Sequence, residues 1–159
     1  ICRIAWYGIT KVPHTMTREE FLIEFRKRGA LLAPAPSRQN IATTGALLQG
    51  MQAAMLPTAL SEFYTACGGI VHGAGYIFGP SEISRGTKHP VPTIIDINRE
   101  MSHIPALHGK TIFGRNDLFF FAFDAFGISY MLDNLTLRPL RKYNDIYHAM
   151  TDCLAAGKL

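Results

Sequence analysis

Six consecutive apolar residues run from Leu118 to Phe123 (LFFFAF), with Asn116-Asp117 on one side and Asp124 and Gly127 on the other. That length suits a strand and is too short for a helix of its own. A strand that is apolar at every position must be covered on both faces. Turn-forming residues recur around it, at Asn116-Asp117, at Gly127 and at Asp133-Asn134, and each supplies a way to reverse the chain. They separate four β-prone segments: Thr111–Gly114, Leu118–Phe123, Ile128–Leu132 and Leu137–Leu140. The spacing predicts an antiparallel meander with the apolar run at its centre. Pro139 has no amide to give to a ladder, so the last strand belongs at an edge.

Helices are expected on either side of the meander. Thr17 and Glu20 form a capping box, Met16 and Phe21 can staple across it, and Phe21, Leu22 and Phe25 make one apolar stripe ending near Gly29. This predicts a helix over 17–28. Residues 30–45 hold Pro34, Pro36, Ser37, Asn40, Thr43, Thr44 and Gly45 and read as a loop, with a short helix over 46–55. Pro57 suits a helix start, and Leu60, Phe63, Tyr64 and Cys67 follow at helical spacing until Gly68-Gly69. Residues 75–79 read as a strand and 84–92 as a polar loop. Residues 91–97 read as an edge strand or extended segment, and 98–109 mostly as loop. A last helix is expected from an Asn144 cap, with Ile146, Tyr147, Met150, Cys153 and Leu154 on one stripe and a stop at Gly157. Residues 1–12, closed by Pro13, read as a short strand or extended arm. Helices, then strands, then a helix predict the α+β class: a mainly antiparallel sheet packed with helices, in a single domain over 1–159.

The bulk properties exclude several classes. Hydrophobic residues make up 48% of the 159 and charged residues 18%, a globular composition far from disorder. No apolar run reaches the roughly eighteen residues of a membrane helix, so no membrane partner is expected. The first residues lack the basic-then-apolar pattern of a secretory leader, although the sequence opens on Ile1 and not on Met. Cys2, Cys67 and Cys153 are odd in number, widely spaced and free of any CxxC, which argues against a disulfide framework and fits a reducing, cytoplasmic setting. The formal net charge is +4, spread between Arg26-Lys27-Arg28 and the distant Arg138, Arg141 and Lys142. A nucleic-acid footprint would gather such charge into one stripe with interleaved aromatics, so none is expected.

No motif carries chemistry. The six histidines, His14, His72, His89, His103, His108 and His148, show no metal-ligand spacing. A GxSxG elbow, a P-loop and a dinucleotide fingerprint are all missing. His72-Gly73-Ala74-Gly75 is a faint oxyanion-type loop without a nucleophile and reads as a connector. Cys67 falls on an apolar helix stripe, so packing explains it better than a thiol dyad. Asp124 is expected to cap a turn with Gly127. The sequence therefore predicts no catalytic residue, no cofactor and no metal, and a chain that is not an enzyme.

Three segments in order resemble the SUKH superfamily. The first is Leu56-Pro57, a helix with Phe63-Tyr64, and Cys67-Gly68-Gly69, where Cys67 stands at a position at which Asn is common. The second is Tyr76-Ile77-Phe78-Gly79 followed by Ser81-Glu82-Ile83. The third is Leu118 to Leu132 (LFFFAFDAFGISYML), which is also similar to related small immunity domains of bacterial toxin systems. A basic segment and helix, Leu140 to Leu154, close the pattern. The resemblance spans 56–154 and leaves 1–55 as an N-terminal strand and helices. It implies a SUKH-like fold and a cytoplasmic, non-enzymatic immunity protein that binds and neutralises a cognate bacterial toxin, such as a nuclease or deaminase. A scaffold or regulatory protein of the same fold is the alternative. An enzyme whose groups converge only in space is the second alternative.

Immunity proteins against nucleases are often acidic because they compete with phosphate for a basic groove, and this chain is basic. Either the toxin is not a basic nuclease, or inhibition works away from its groove, or the charge is arranged locally. A stable complex covers about 800 Å² per partner. The natural contacts are the polar residues Ser84, Arg85, Lys88 and His89, with Asp96, Arg99 and Glu100 next.

Overall fold

The computed structural model describes residues 16–51, 53–86 and 88–155, with Lys88 described in its backbone alone. The expected arm over 1–12 and the stop at Gly157 lie outside the described residues. Helix α1 (Arg18–Lys27) begins at the capping box. Thr17 Oγ1 accepts from the Glu20 amide at 3.1 Å, and the Glu20 carboxylate accepts from the Thr17 amide at 2.9 Å. Phe21, Leu22 and Phe25 are its buried stripe, as the spacing requires. A short strand β1 (Leu31–Leu32) follows.

Helix α2 (Arg38–Gly50) corrects the sequence reading, which placed a loop over most of it and a short helix over 46–55. Ser37 is the cap, its hydroxyl accepting from the Asn40 amide at 3.1 Å. Asn40, Thr43 and Thr44 count as turn formers when their side chains compete for the backbone. Here Thr44 is buried inside the helix and donates to the Asn40 carbonyl four residues back at 2.8 Å, so its hydroxyl is satisfied without breaking the turn. Helix α3 (Thr58–Tyr64) starts from Pro57 and buries Leu60, Phe63 and Tyr64. The Tyr64 hydroxyl donates to the Phe78 carbonyl at 2.6 Å and ties the helix to the sheet.

Strands β2 (Ile70–His72) and β3 (Gly75–Ile77) pair antiparallel with His72 opposite Gly75. The stretch 72–75 is therefore a tight hairpin turn, not a connector, and Gly73 supplies the positive φ of +56° that it needs. The expected polar loop over 84–92 is in large part a second hairpin, β4 (Ile83–Arg85) with β5 (Lys88–Val91). Its two apolar ends, Ile83 and Val91, face each other and are buried; polar residues fill the rest, which hides the strand signal. Helix α4 (Ile94–Glu100) replaces the expected extended segment over 91–97. Its β-branched Ile94, Ile95 and Ile97 disfavour a helix only weakly. The Thr93 cap and the burial of all three outweigh that preference. A single 3-10 turn, Pro105–Leu107, follows.

The meander is present as expected: β6 (Lys110–Arg115), β7 (Phe119–Asp124), β8 (Ser129–Asp133) and β9 (Pro139–Tyr143). With β1–β3 they form one sheet in the order β1-β2-β3-β6-β7-β8-β9, every neighbouring pair antiparallel. β7 is interior and β9 is an edge. Helix α5 (Ile146–Ala155) is capped by Asp145 and not by the expected Asn144, with Asp145 Oδ1 accepting from the Tyr147 amide at 2.9 Å. It lies close on one sheet face because Gly75 lacks a side chain there. A Cβ on Gly75 would come 2.6 Å from the Cys153 carbonyl oxygen. The main core sits between this face and α1, α3 and α5, where Phe21, Phe25, Phe63 and Tyr147 meet ring to ring. The class is α+β: a mainly antiparallel sheet packed with helices.

Candidate partner-binding surface

The sheet face opposite α5 is read from cross-strand register. Tyr76 on β3 lies opposite Arg115 on β6, and Arg115 lies opposite Phe120 on β7. Residues directly opposite each other point to the same face. Two positions along β7, Ala122 lies opposite Tyr130, and Tyr130 lies opposite Lys142 on β9. Two further on, Asp124 lies opposite Lys110. This face therefore carries Tyr76, Arg115, Phe120, Tyr130, Lys142, Lys110 and Asp124, around the buried Ile112, Ala122 and Leu132. The three aromatic rings and Arg115 are half-buried, and Lys142 is exposed.

Cations stand over rings along it. The Arg115 guanidinium carbon is 5.4 Å from the centre of the Phe120 ring, and Lys110 Nζ is 5.9 Å from that of Tyr130. The β4–β5 hairpin adds a third pair. Arg85 donates from Nε and Nη2 to the His89 carbonyl at 3.1 and 2.7 Å, and from Nη1 to the Tyr76 hydroxyl at 2.8 Å. Its guanidinium carbon is 5.2 Å from the Tyr76 ring centre. The hairpin is thereby fastened to β3, and Arg85 joins the sheet face. Asp124 closes the β7–β8 turn as expected, Oδ1 accepting from the Phe126 and Ile128 amides at 2.9 and 3.1 Å. Its Oδ2 accepts from the Tyr130 hydroxyl at 2.9 Å. Burial pushes this carboxyl up, but the Tyr130 hydroxyl, the two amides and the Lys110 charge together outweigh it. Asp124 therefore titrates below the ordinary carboxylate range. The same hydrogen bond is the main reason why the Tyr130 hydroxyl is pushed up.

The residues expected to meet a partner fall into two groups. Ser84, Arg85, Lys88 and His89 lie on the β4–β5 hairpin, with Ser84 and His89 exposed. Asp96, Arg99 and Glu100 are exposed on α4, where Asp96 and Arg99 pair at 3.7 Å, an arrangement worth little in water. Among the described side chains, no hydrogen bond or ion pair joins the two groups. Of the seven, Arg85 is the one that the fold brings onto the sheet face. Sequence reasoning missed Tyr76, Lys110, Arg115, Phe120, Tyr130 and Lys142. The β3–β6 pairing that assembles them spans the whole of β4, β5 and α4, and no local pattern reports it.

Several groups that could serve a reaction are engaged in internal bonds. Cys67 is buried, its thiol donates to the Gly69 carbonyl at 3.2 Å, and burial pushes its pKa up. Burial does the same to Cys153, whose sulfur lies 3.4 Å from the Tyr76 and Arg115 carbonyls. His72 Nδ1 lies 2.8 Å from the Leu154 carbonyl, which requires a proton on that nitrogen. A cleft of about 610 Å³ opens beside the end of α5, lined by His72, Phe119, Met131, Arg141, Asp152 and Leu154 among others. Within it, Asp152 Oδ2 accepts from Arg141 at 2.7 Å and from the Tyr143 hydroxyl at 2.5 Å. Among the described residues, no group of three or more His, Cys, Asp or Glu is placed to hold a metal ion. No helix among them is long and apolar enough to cross a membrane. No protein-family model and no curated protein matches the chain.

Proposed function

We propose that this chain is a bacterial immunity protein of the SUKH type that binds a cognate protein toxin, a nuclease or deaminase effector, and neutralises it by covering it. On this reading it works in the cytoplasm, without catalysis and without a cofactor. The observation that carries the reading is the sheet face with its hairpin: Arg85, Arg115 and Lys110 set against Tyr76, Phe120 and Tyr130. Arginine and aromatic side chains are enriched where proteins meet, because each offers a large contact area and a polar end at small conformational cost. A folded sheet holds them in place before the partner arrives, so little further ordering is needed on binding. The commitment of Cys67, Cys153, His72 and Asp152 to internal bonds supports a binding role over a catalytic one.

Co-expression with the product of the neighbouring reading frame tests the proposal. Rescue of growth from that toxin, with the two chains eluting together from a sizing column, is the expected result. No rescue and no complex, or a substrate turned over by the purified chain, would refute it.

A further inference from the structure

We infer that the sheet face recognises an acidic protein segment, with Arg115 and Phe120 at the centre of the contact. The inference rests on the binding function proposed above and names the chemistry of the partner. By register this face carries Arg115, Lys110 and Lys142, with Arg85 added from the hairpin, against one carboxylate, Asp124. Asp124 is already held by the Tyr130 hydroxyl and two backbone amides. Among the described residues the Arg115 side chain has no carboxylate and no hydrogen-bond acceptor; it rests on the Phe120 ring. A half-buried guanidinium in that state is ready for an anion, because its planar fork matches a carboxylate in two hydrogen bonds.

Spacing argues for a protein segment over a lone small anion. Arg115 on β6 and Lys142 on β9 stand three strands apart in the sheet, which is about 14 Å at the usual inter-strand distance. One small anion cannot reach both, whereas acidic side chains along a strand or helix can. The rings argue against single-stranded nucleic acid. Bases bind such a surface by stacking on open aromatic faces, and here Tyr76, Phe120 and Tyr130 each already have a cation over the ring. Carboxylates approaching the cations from outside need no open ring face, and the net charge of +4 favours their approach.

The test uses the purified chain with a fluorescent poly-glutamate peptide and, separately, an oligo-dT strand, by fluorescence anisotropy at low and physiological salt. Peptide binding that weakens with salt and falls at least about fivefold in Arg115→Gln and Phe120→Ala is the expected result. Arg115→Glu should abolish it. Lys27→Glu, on the exposed end of α1, removes the same net charge far from the sheet face and should leave most of it, which separates a local site from a general field. Thermal melts by circular dichroism confirm that each variant is folded. Tighter binding of oligo-dT than of the peptide overturns the inference in favour of nucleic acid. Peptide binding that is absent, or equally reduced by Lys27→Glu and Arg115→Glu, also overturns it. A toxin partner whose binding survives the Arg115 and Phe120 substitutions would refute this inference and leave the immunity function standing.

Discussion

Asn98 does the work of a missing strand. β3 pairs with β6 at Tyr76–Arg115 and Ile77–Gly114, and the Phe78 amide still donates to the Phe113 carbonyl at 2.9 Å before the chain turns away. Beyond that point Asn98 Nδ2 donates to the Ile112 carbonyl at 2.8 Å, and its Oδ1 accepts from the Ile112 amide at 2.8 Å. Asn98 is 8% exposed, so water cannot replace these bonds. Asn98→Leu keeps the branched shape and strands both backbone groups. It should destabilise the protein by roughly 2–4 kcal/mol, the cost of leaving two buried polar groups unpaired, read as a lower urea midpoint at unchanged slope. Asp124 acts at the same scale through pH. Its folded pKa is depressed, so its contribution is fully present above the unfolded value of about 3.9. It is lost as pH falls through the folded value. The urea midpoint of the native protein should therefore drop more between pH 7 and pH 3 than that of Asp124→Asn, which has no carboxyl to protonate. Equal drops would show that Asp124 is not held as described. The turn role of Asp124 was legible from its place before Gly127. That of Asn98 was not, because its partner lies fourteen residues away on another element.

At the scale of elements, local signals and tertiary demands agree in some places and conflict in others. Helix α1 and the four strands β6–β9 carry strong local cues: a reciprocal cap, a clean apolar stripe, turn residues at regular intervals. Those cues matched the fold. Helices α2 and α4 and the β4–β5 hairpin do not carry them. In α2, residues that usually prefer turns are held helical by the Ser37 cap and by the burial of Thr44 and Leu48. In α4, strand-preferring isoleucines are helical because three of them reach the core from one short helix of about two turns. Such segments depend on their caps. Ser37→Ala should cost about 1 kcal/mol of stability, measured by chemical denaturation, and a loss below a few tenths would mean that packing alone sets where α2 begins. Edge strand β9 brings Pro139, a bulge beside Leu132 and the basic pair Arg141-Lys142 to the rim of the sheet. These features discourage edge-to-edge pairing with another chain, so a partner is expected on the face of the sheet and not along its rim.

For the whole molecule, the two faces of the sheet differ in what they carry. The face under α5 holds the aromatic core, where each fully buried large side chain contributes about 1.5–3 kcal/mol. The opposite face buries Ile112, Ala122 and Leu132 and keeps half-buried rings and four cations within reach of solvent around them. The sequence showed the class of fold and the excess of positive charge. It did not show where that charge gathers, because Tyr76, Arg115, Phe120 and Tyr130 meet only through strand pairing. On the proposed reading, four of the cations, Arg85, Arg115, Lys110 and Lys142, lie on one face suited to an acidic partner surface.

The most direct measurement is a calorimetric titration of the purified chain with the protein encoded beside it, at low and at physiological salt. One-to-one, sub-micromolar binding that weakens as salt rises is the expected result. No heat of binding at either salt, with both proteins folded, would contradict it.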